Sequence, residues 1–280
     1  MKIGLFGIGS GLCGDPAIAR DVARAAEAAG FESLWTGEHV VLPDPQAPPS
    51  PAPPEFPMLH PSTILSHLAA VTDRVLLGTG IVLLPQRNPV VLAKELASLD
   101  VVSGGRLLFG LGVGYLEAEF NALGVPFAER GARADEYLEA MKALWTQEKP
   151  AFKGRFAAFE GVQARPRPLQ QPHPPIVVGG MSPSAYRRAT SKGNGWYGFA
   201  LDAAGTEAAL AALREAAGRV ERPDALGRLE ISVTPSVKVD AELVSRLEDL
   251  GVDRIVSLMR GRDRDSLLSF VDDLATEVIR

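Results

Sequence analysis

One cysteine, Cys13, occurs in 280 residues. A lone thiol excludes an internal disulfide and fits a reducing compartment. Set among glycines, it reads as packing rather than as a nucleophile. Histidine is also scarce. Residues 39, 60, 67 and 173 are scattered, without the clustered His, Cys or carboxylate spacing that a metal ion needs. No apolar run approaches the roughly 18 residues that span a bilayer. The opening "MKIGLFGIGSGLCG" is interrupted by glycine and has no A-x-A cleavage site, so it reads as a first strand and not a signal peptide. The expectation is a cytoplasmic protein with no membrane partner. Charge of one sign is missing too. Lys and Arg number 29 against 34 Asp and Glu, with no basic block, so nothing points to a nucleic-acid partner.

What the chain does have is alternation. Short runs rich in Val, Ile and Leu are followed by segments with helical periodicity. Strands are predicted at residues 2–8, 33–36, 76–84, 106–114, 175–180, 195–200, 229–235 and 253–258. Helix starts carry their own punctuation. Asp15-Pro16, Asn88-Pro89 and Ser182-Pro183 each place a capping side chain before a proline at the first helical position. Gly30 and Gly104-Gly105 supply stops. Strands buried on both faces read as continuous apolar runs. Eight parallel strand–helix units closing on themselves make an α/β fold, a (β/α)8 TIM barrel, as one domain over residues 1–280. Two insertions exceed the minimal barrel. Residues 43–61, after the second strand, are proline-rich, and Phe56, Met58 and Leu59 suggest a semi-rigid lid. Residues 150–175, before the fifth strand, contain "FKGRF", a small hairpin with Lys153-Gly154 at its turn.

The C-terminal strand ends of such a barrel form its working face. They hold Glu38-His39, Gly80-Ile81, Gly112-Val113-Gly114-Tyr115 and Gly179-Gly180-Met181-Ser182. No strand end offers a lysine for a Schiff base, and no G-x-S-x-G elbow is present. "GLGVG" lacks the third glycine of a dinucleotide fingerprint and lies on the fourth strand, not the first. A surface of backbone and apolar atoms with few acid–base groups suits a large planar cofactor that carries the chemistry. Gly179–Ser182 at a helix start is either a phosphate site or only a tight turn, with Ser182 the N-cap. Glu38-His39 is either a capped turn beside a wall residue or an acid–base pair.

Several segments together resemble the bacterial luciferase-like monooxygenase superfamily, in its coenzyme F420-dependent oxidoreductase branch. They are "GFESLWTGEHVVLP", "LGTGIVLLPQRNPVVLAKELASLDVVSGGRLLFGLGVG", "FAERGARADEYLEAMKALW" and "PRPLQQPHPPIVVGGMSPSAYRRAT". The resemblance implies a TIM barrel that binds F420 or FMN in its mouth. It implies hydride transfer between F420 and a small organic substrate, with flavin-dependent monooxygenation as the alternative; the apolar lid residues point to a hydrophobic substrate. It places Glu38 and His39 against the deazaflavin ring, with His39 moving a proton and Glu38 fixing the imidazole or the ring. It places a non-proline cis peptide at Gly80–Ile81. It lays the phosphate tail on the backbone of Gly112, Val113, Gly114 and Tyr115 and of Gly179, Gly180, Met181 and Ser182. Bacterial luciferase has an arginine where this chain has Val113, which weakens the flavin alternative. By analogy with the family the protein would be a homodimer. Two other classes stand beside this reading: a non-redox barrel enzyme acting on a phosphorylated metabolite, and a cofactor-binding barrel without turnover.

Overall fold

The computed structural model describes residues 1–279. Its strands and helices run β1 (Lys2–Phe6), α1 (Pro16–Ala29), β2 (Ser33–Thr36), α2 (Pro61–Ala69), β3 (Leu76–Thr79), β4 (Val82–Leu83), α3 (Pro89–Val102) and β5 (Leu107–Gly112). They continue with α4 (Glu117–Ala122), α5 (Arg130–Thr146), β6 (Phe152–Lys153), β7 (Ala158–Phe159), β8 (Ile176–Gly179), α6 (Pro183–Lys192) and β9 (Gly195–Leu201). The chain ends with α7 (Ala203–Ala217), β10 (Glu230–Pro235), α8 (Ala241–Asp249), β11 (Arg254–Leu258) and α9 (Arg264–Val278). The parallel order β3-β2-β1-β11-β10-β9-β8-β5 closes because β3 also pairs with β5, with Leu77 opposite Leu107. This is the eight-unit TIM barrel that the pattern predicts. Among the described residues no helix is long and apolar enough to cross a membrane.

The caps act as their residue types dictate. Asp15 accepts hydrogen bonds from the amides of Ala17 and Ile18, Asn88 from those of Val90 and Val91, and Ser182 from that of Ala185. Four details differ from expectation. The run at 76–84 is not one strand: it breaks after Thr79, and β4 continues the pairing with β5. The helix from Pro61 ends at Ala69 rather than near residue 74. The hairpin is β6–β7, but its turn lies further on, where the Gly154 amide meets the Ala157 carbonyl. Glu136 of α5 organises that turn by accepting from the amides of Arg155, Phe156 and Ala157. Finally, α4 is an element that the strand–helix pattern does not announce.

The barrel interior is filled by Trp35, Leu108, Val177, Tyr197 and Val256. Trp35 stacks on Tyr197 with centroids 5.4 Å apart. Tyr197 is wholly buried, and its hydroxyl pairs with Thr234 Oγ1 at 2.5 Å. Burial pushes its phenol far above the ordinary range. It is a structural hydroxyl, not an acid. Cys13 is likewise packed, and burial pushes its thiol up to about 11.

Glycine at three strand ends has a packing cause. A Cβ on Gly110 would lie 1.8 Å from the Thr79 carbonyl oxygen. One on Gly112 would lie 1.9 Å from Ile81 Cδ1, and one on Gly179 2.9 Å from the same atom. These glycines make room for the β3–β4 break and the Ile81 side chain. Gly112→Ala should therefore lower stability by about 1–3 kcal/mol through overpacking. Gly131→Ala is the control, since a Cβ there meets nothing within 4 Å. Urea midpoints of the two variants measure the contrast, and equal midpoints would remove the packing argument.

Candidate active site

The mouth is built from the loops leaving the strand C-termini. Gly80–Ile81 is a non-proline cis peptide, at the bond that the resemblance singled out. Around the mouth, Val40, Tyr115, Met181, Phe199, Val237 and Leu258 are exposed apolar side chains. Exposed apolar side chains gathered at a functional face commonly mark a binding surface. The residues present fit a planar cofactor in this respect.

Glu38 and His39 diverge as they leave β2. The Glu38 carboxylate turns into the protein, with its side chain only 2% exposed. It accepts from the Leu83 amide at 2.7 Å and forms an ion pair with Arg87. It therefore ties the β2 loop to the segment after the cis peptide. His39 has different partners. Its Nδ1 lies 3.3 Å from Glu119 Oε2, and its Nε2 lies 3.4 Å from the Tyr115 hydroxyl. The imidazole meets the Tyr115 ring edge-on, with centroids 5.6 Å apart.

Glu119 is the residue that sequence reasoning missed. It sits on α4, with a side chain of 0% exposure, and its other oxygen accepts from the Val40 amide at 2.5 Å. Burial by itself would raise its pKa. Hydrogen bonds from His39 and Val40, the nearby Gln86 amide and the charge of His39 outweigh that and hold the carboxyl below its ordinary range. The Gln86 amide nonetheless finds no well-formed hydrogen bond: both its polar atoms are buried and unpaired. A signal for Glu119 was present in "LEAEFNAL". Leu116, Phe120 and Leu123 mark a helical apolar stripe, and Glu119 lies three residues after Leu116 on its margin.

The phosphate candidates are arranged less simply. Gly112 and Gly179 answer first to Ile81. Gly114 and Gly180 adopt φ of 80° and 114°, conformations that glycine takes without strain. The Gly180 amide and carbonyl are bonded to the Tyr197 carbonyl and the Trp196 indole. Ser182 is the N-cap of α6. Val113 is half-buried, whereas Tyr115 and Met181 stand exposed on the rim. The insertion at residues 43–60 forms neither helix nor strand. It is strapped beside the mouth by Leu59 N to Gly9 O at 2.8 Å and Gly11 N to Pro57 O at 3.0 Å. Phe56 packs over Gly11, so this lid residue anchors the strap.

The other histidines lie elsewhere. His67 Nε2 bonds the Pro16 carbonyl, and His173 is buried against Trp145, where burial depresses its pKa. Two open pockets do not include His39. One of about 150 Å³ lies between β10, β11 and α9, and one of about 430 Å³ lies between α6 and α7. The site is therefore assigned on its chemistry and not on concavity.

Comparison with known proteins bears on the fold and the family. The profile of the luciferase-like monooxygenase family matches residues 7–273. An uncharacterized protein of Mycobacterium tuberculosis is 33% identical over 267 residues, 91% of this chain and 92% of its own length. The FMNH2-dependent dimethylsulfone monooxygenase of Pseudomonas putida is 37% identical over 142 residues, 49% of this chain and 39% of that enzyme. An F420-dependent secondary alcohol dehydrogenase, solved with an F420–acetone adduct, superposes with a TM-score of 0.79 at 17% identity, covering 99% of this chain and 98% of that one. At that identity the likeness speaks for the fold alone. With a family profile spanning nearly the whole barrel, the chain belongs to the luciferase-like monooxygenase family, whose members are oxidoreductases that use flavin or F420.

Proposed function

We propose that this protein transfers a hydride between coenzyme F420 and a small organic substrate, with His39 as the acid–base group. The observation that carries the reading is the imidazole at the end of β2. Its Nδ1 is engaged by a buried carboxylate, while its Nε2 points toward the mouth. F420 would supply the hydride-carrying ring carbon; the protein orients, shields and moves the proton. The ring would lie against the Gly80–Ile81 ledge and the apolar rim. The backbone of Gly112–Tyr115 and of Gly179–Ser182 would hold the phosphate, helped by the positive end of α6. Glu38 holds the loop that carries His39 and takes no proton itself, because its carboxylate is engaged by Leu83 and Arg87.

FMN is the second reading, supported by the Pseudomonas enzyme's 37% identity over about half of this chain. Fluorescence titration of the purified protein with F420 and with FMN, each oxidised and reduced, separates the two. The expected result is F420 binding at least tenfold tighter than FMN. Tight binding of FMN alone would overturn the F420 assignment, and binding of neither would favour a barrel acting on a phosphorylated metabolite.

A further inference from the structure

We infer that Tyr115 is a second catalytic residue: its hydroxyl is the outermost member of a Glu119–His39–Tyr115 relay and exchanges the proton with the substrate oxygen. The inference rests on the hydride-transfer reading above and deepens it. It also specifies the substrate class, a carbonyl compound or the corresponding alcohol.

Three observations lead here. First, His39 is poorly placed to touch a substrate. Its side chain is only 9% exposed, and Nε2, the nitrogen turned to the mouth, is covered by the Tyr115 hydroxyl. Tyr115 itself is 48% exposed at the rim. Second, the buried Glu119 can only accept a proton in a hydrogen bond while it is ionised, so Nδ1 must be the donor. That fixes the tautomer and leaves Nε2 to face Tyr115. Third, burial, and next to it the Glu119 charge, raises the Tyr115 pKa. The phenol is therefore protonated at neutral pH and available as a donor. The 3.4 Å separation is long, as contacts in substrate-free sites commonly are.

The step balances in both directions. In carbonyl reduction the carbonyl carbon would gain the hydride that reduced F420 supplies. The carbonyl oxygen takes the Tyr115 hydroxyl proton, breaking that O–H bond and forming the product O–H. The phenolate oxygen regains a proton from Nε2 of imidazolium His39. The ring is left neutral, with Nδ1–H on Glu119, until solvent reprotonates it. In alcohol oxidation each proton runs the opposite way, and Glu119 stabilises the imidazolium that forms.

Protein labelled with 15N-histidine tests the relay without cofactor or substrate, with His39→Asn assigning the signals. The expected neutral form carries its proton on Nδ1. Tyr115→Phe should shift the Nε2 signal and leave the Nδ1 proton in place. Glu119→Ala should lose the tautomer preference. An Nε2–H tautomer in the unmodified protein, or an Nε2 signal indifferent to Tyr115→Phe, overturns the relay. The second arm uses the F420-loaded enzyme with acetone, cyclohexanone and benzaldehyde as acceptors, following loss of reduced F420. Tyr115→Phe should bind F420 within about threefold of the unmodified enzyme and lose on the order of 10²-fold in turnover. Unchanged turnover would remove Tyr115 as the donor. Turnover of none of the three acceptors by an F420-binding enzyme would overturn the carbonyl class. Failure of the unmodified protein to bind F420 would sink the underlying oxidoreductase reading, and the 15N arm would still decide the relay.

Discussion

His39→Asn should reduce turnover by about 10²–10⁴-fold, the range in which a positioned general acid–base group contributes, and should leave F420 affinity within a fewfold. Asparagine is chosen because its amide nitrogen can occupy the place of Nδ1 and still donate to Glu119. Alanine would leave a fully buried carboxylate short of a partner, at a cost of about 1–3 kcal/mol. A loss of activity in that variant would then mix chemistry with stability. The paired measurement is steady-state turnover beside F420 binding by fluorescence. If His39→Asn keeps full turnover with normal cofactor affinity, His39 has no part in proton transfer. The same pair of readouts separates His39 from Glu38. Replacing Glu38 should loosen the loop and weaken thermal stability, because its partners are Leu83 and Arg87 and not the mouth.

Arg254→Leu should be strongly destabilising, though it lies far from the mouth. Arg254 begins β11 at the opposite, N-terminal end of the barrel and is 1% exposed. It grips Glu32 with two hydrogen bonds of 2.8 and 2.7 Å, pairs with Glu230, and bonds Ser232 Oγ at 3.0 Å. Its guanidinium also lies 5.7 Å from the Trp35 ring centre. Leucine would leave Glu32 without the guanidinium it pairs with and Glu230 with Lys2 alone. Breaking a buried pair from one side costs about 3–5 kcal/mol, which in a chain of this size corresponds to a fall in Tm on the order of 10 °C.

The same cluster sets a pH dependence. Burial alone would raise Glu32, but the hydrogen bond and charge of Arg254 outweigh it, so the folded pKa is depressed. A depressed carboxylate contributes its stability above the unfolded value, about 4.3. It loses that contribution as pH falls through the folded value. Unmodified protein should therefore lose more stability between pH 5 and acid than Arg254→Leu does. Parallel acid-denaturation curves for the two proteins would refute this account.

The order of elements was legible in the chain because its signals are local. A cap such as Asn88 reaches amides two and three residues ahead, and a strand is recognised by a few consecutive apolar residues. Closure of the barrel followed from counting eight such units. That count put Glu38-His39 on the working face, and the resemblance to the luciferase-like family added the place of the cis peptide. Element α4 escaped notice because its stripe of Leu116, Phe120 and Leu123 spans about two turns, too short to stand out beside the long helices.

The sequence by itself determined the barrel, its caps and the position of an imidazole at the end of the second strand. Only the tertiary structure decided what that imidazole can do. Its neighbour Glu38 is engaged by Leu83 and Arg87, and the carboxylate the imidazole meets is Glu119, eighty residues later. Likewise, Gly112 and Gly179 look like a phosphate cradle in the sequence but are required first by Ile81 across the strand ends. The physical reason is common to these cases. Side chains at neighbouring strand ends meet only once the sheet has closed and the loops have turned. Which oxygen faces which nitrogen is settled by that closure, over distances that no local pattern encodes.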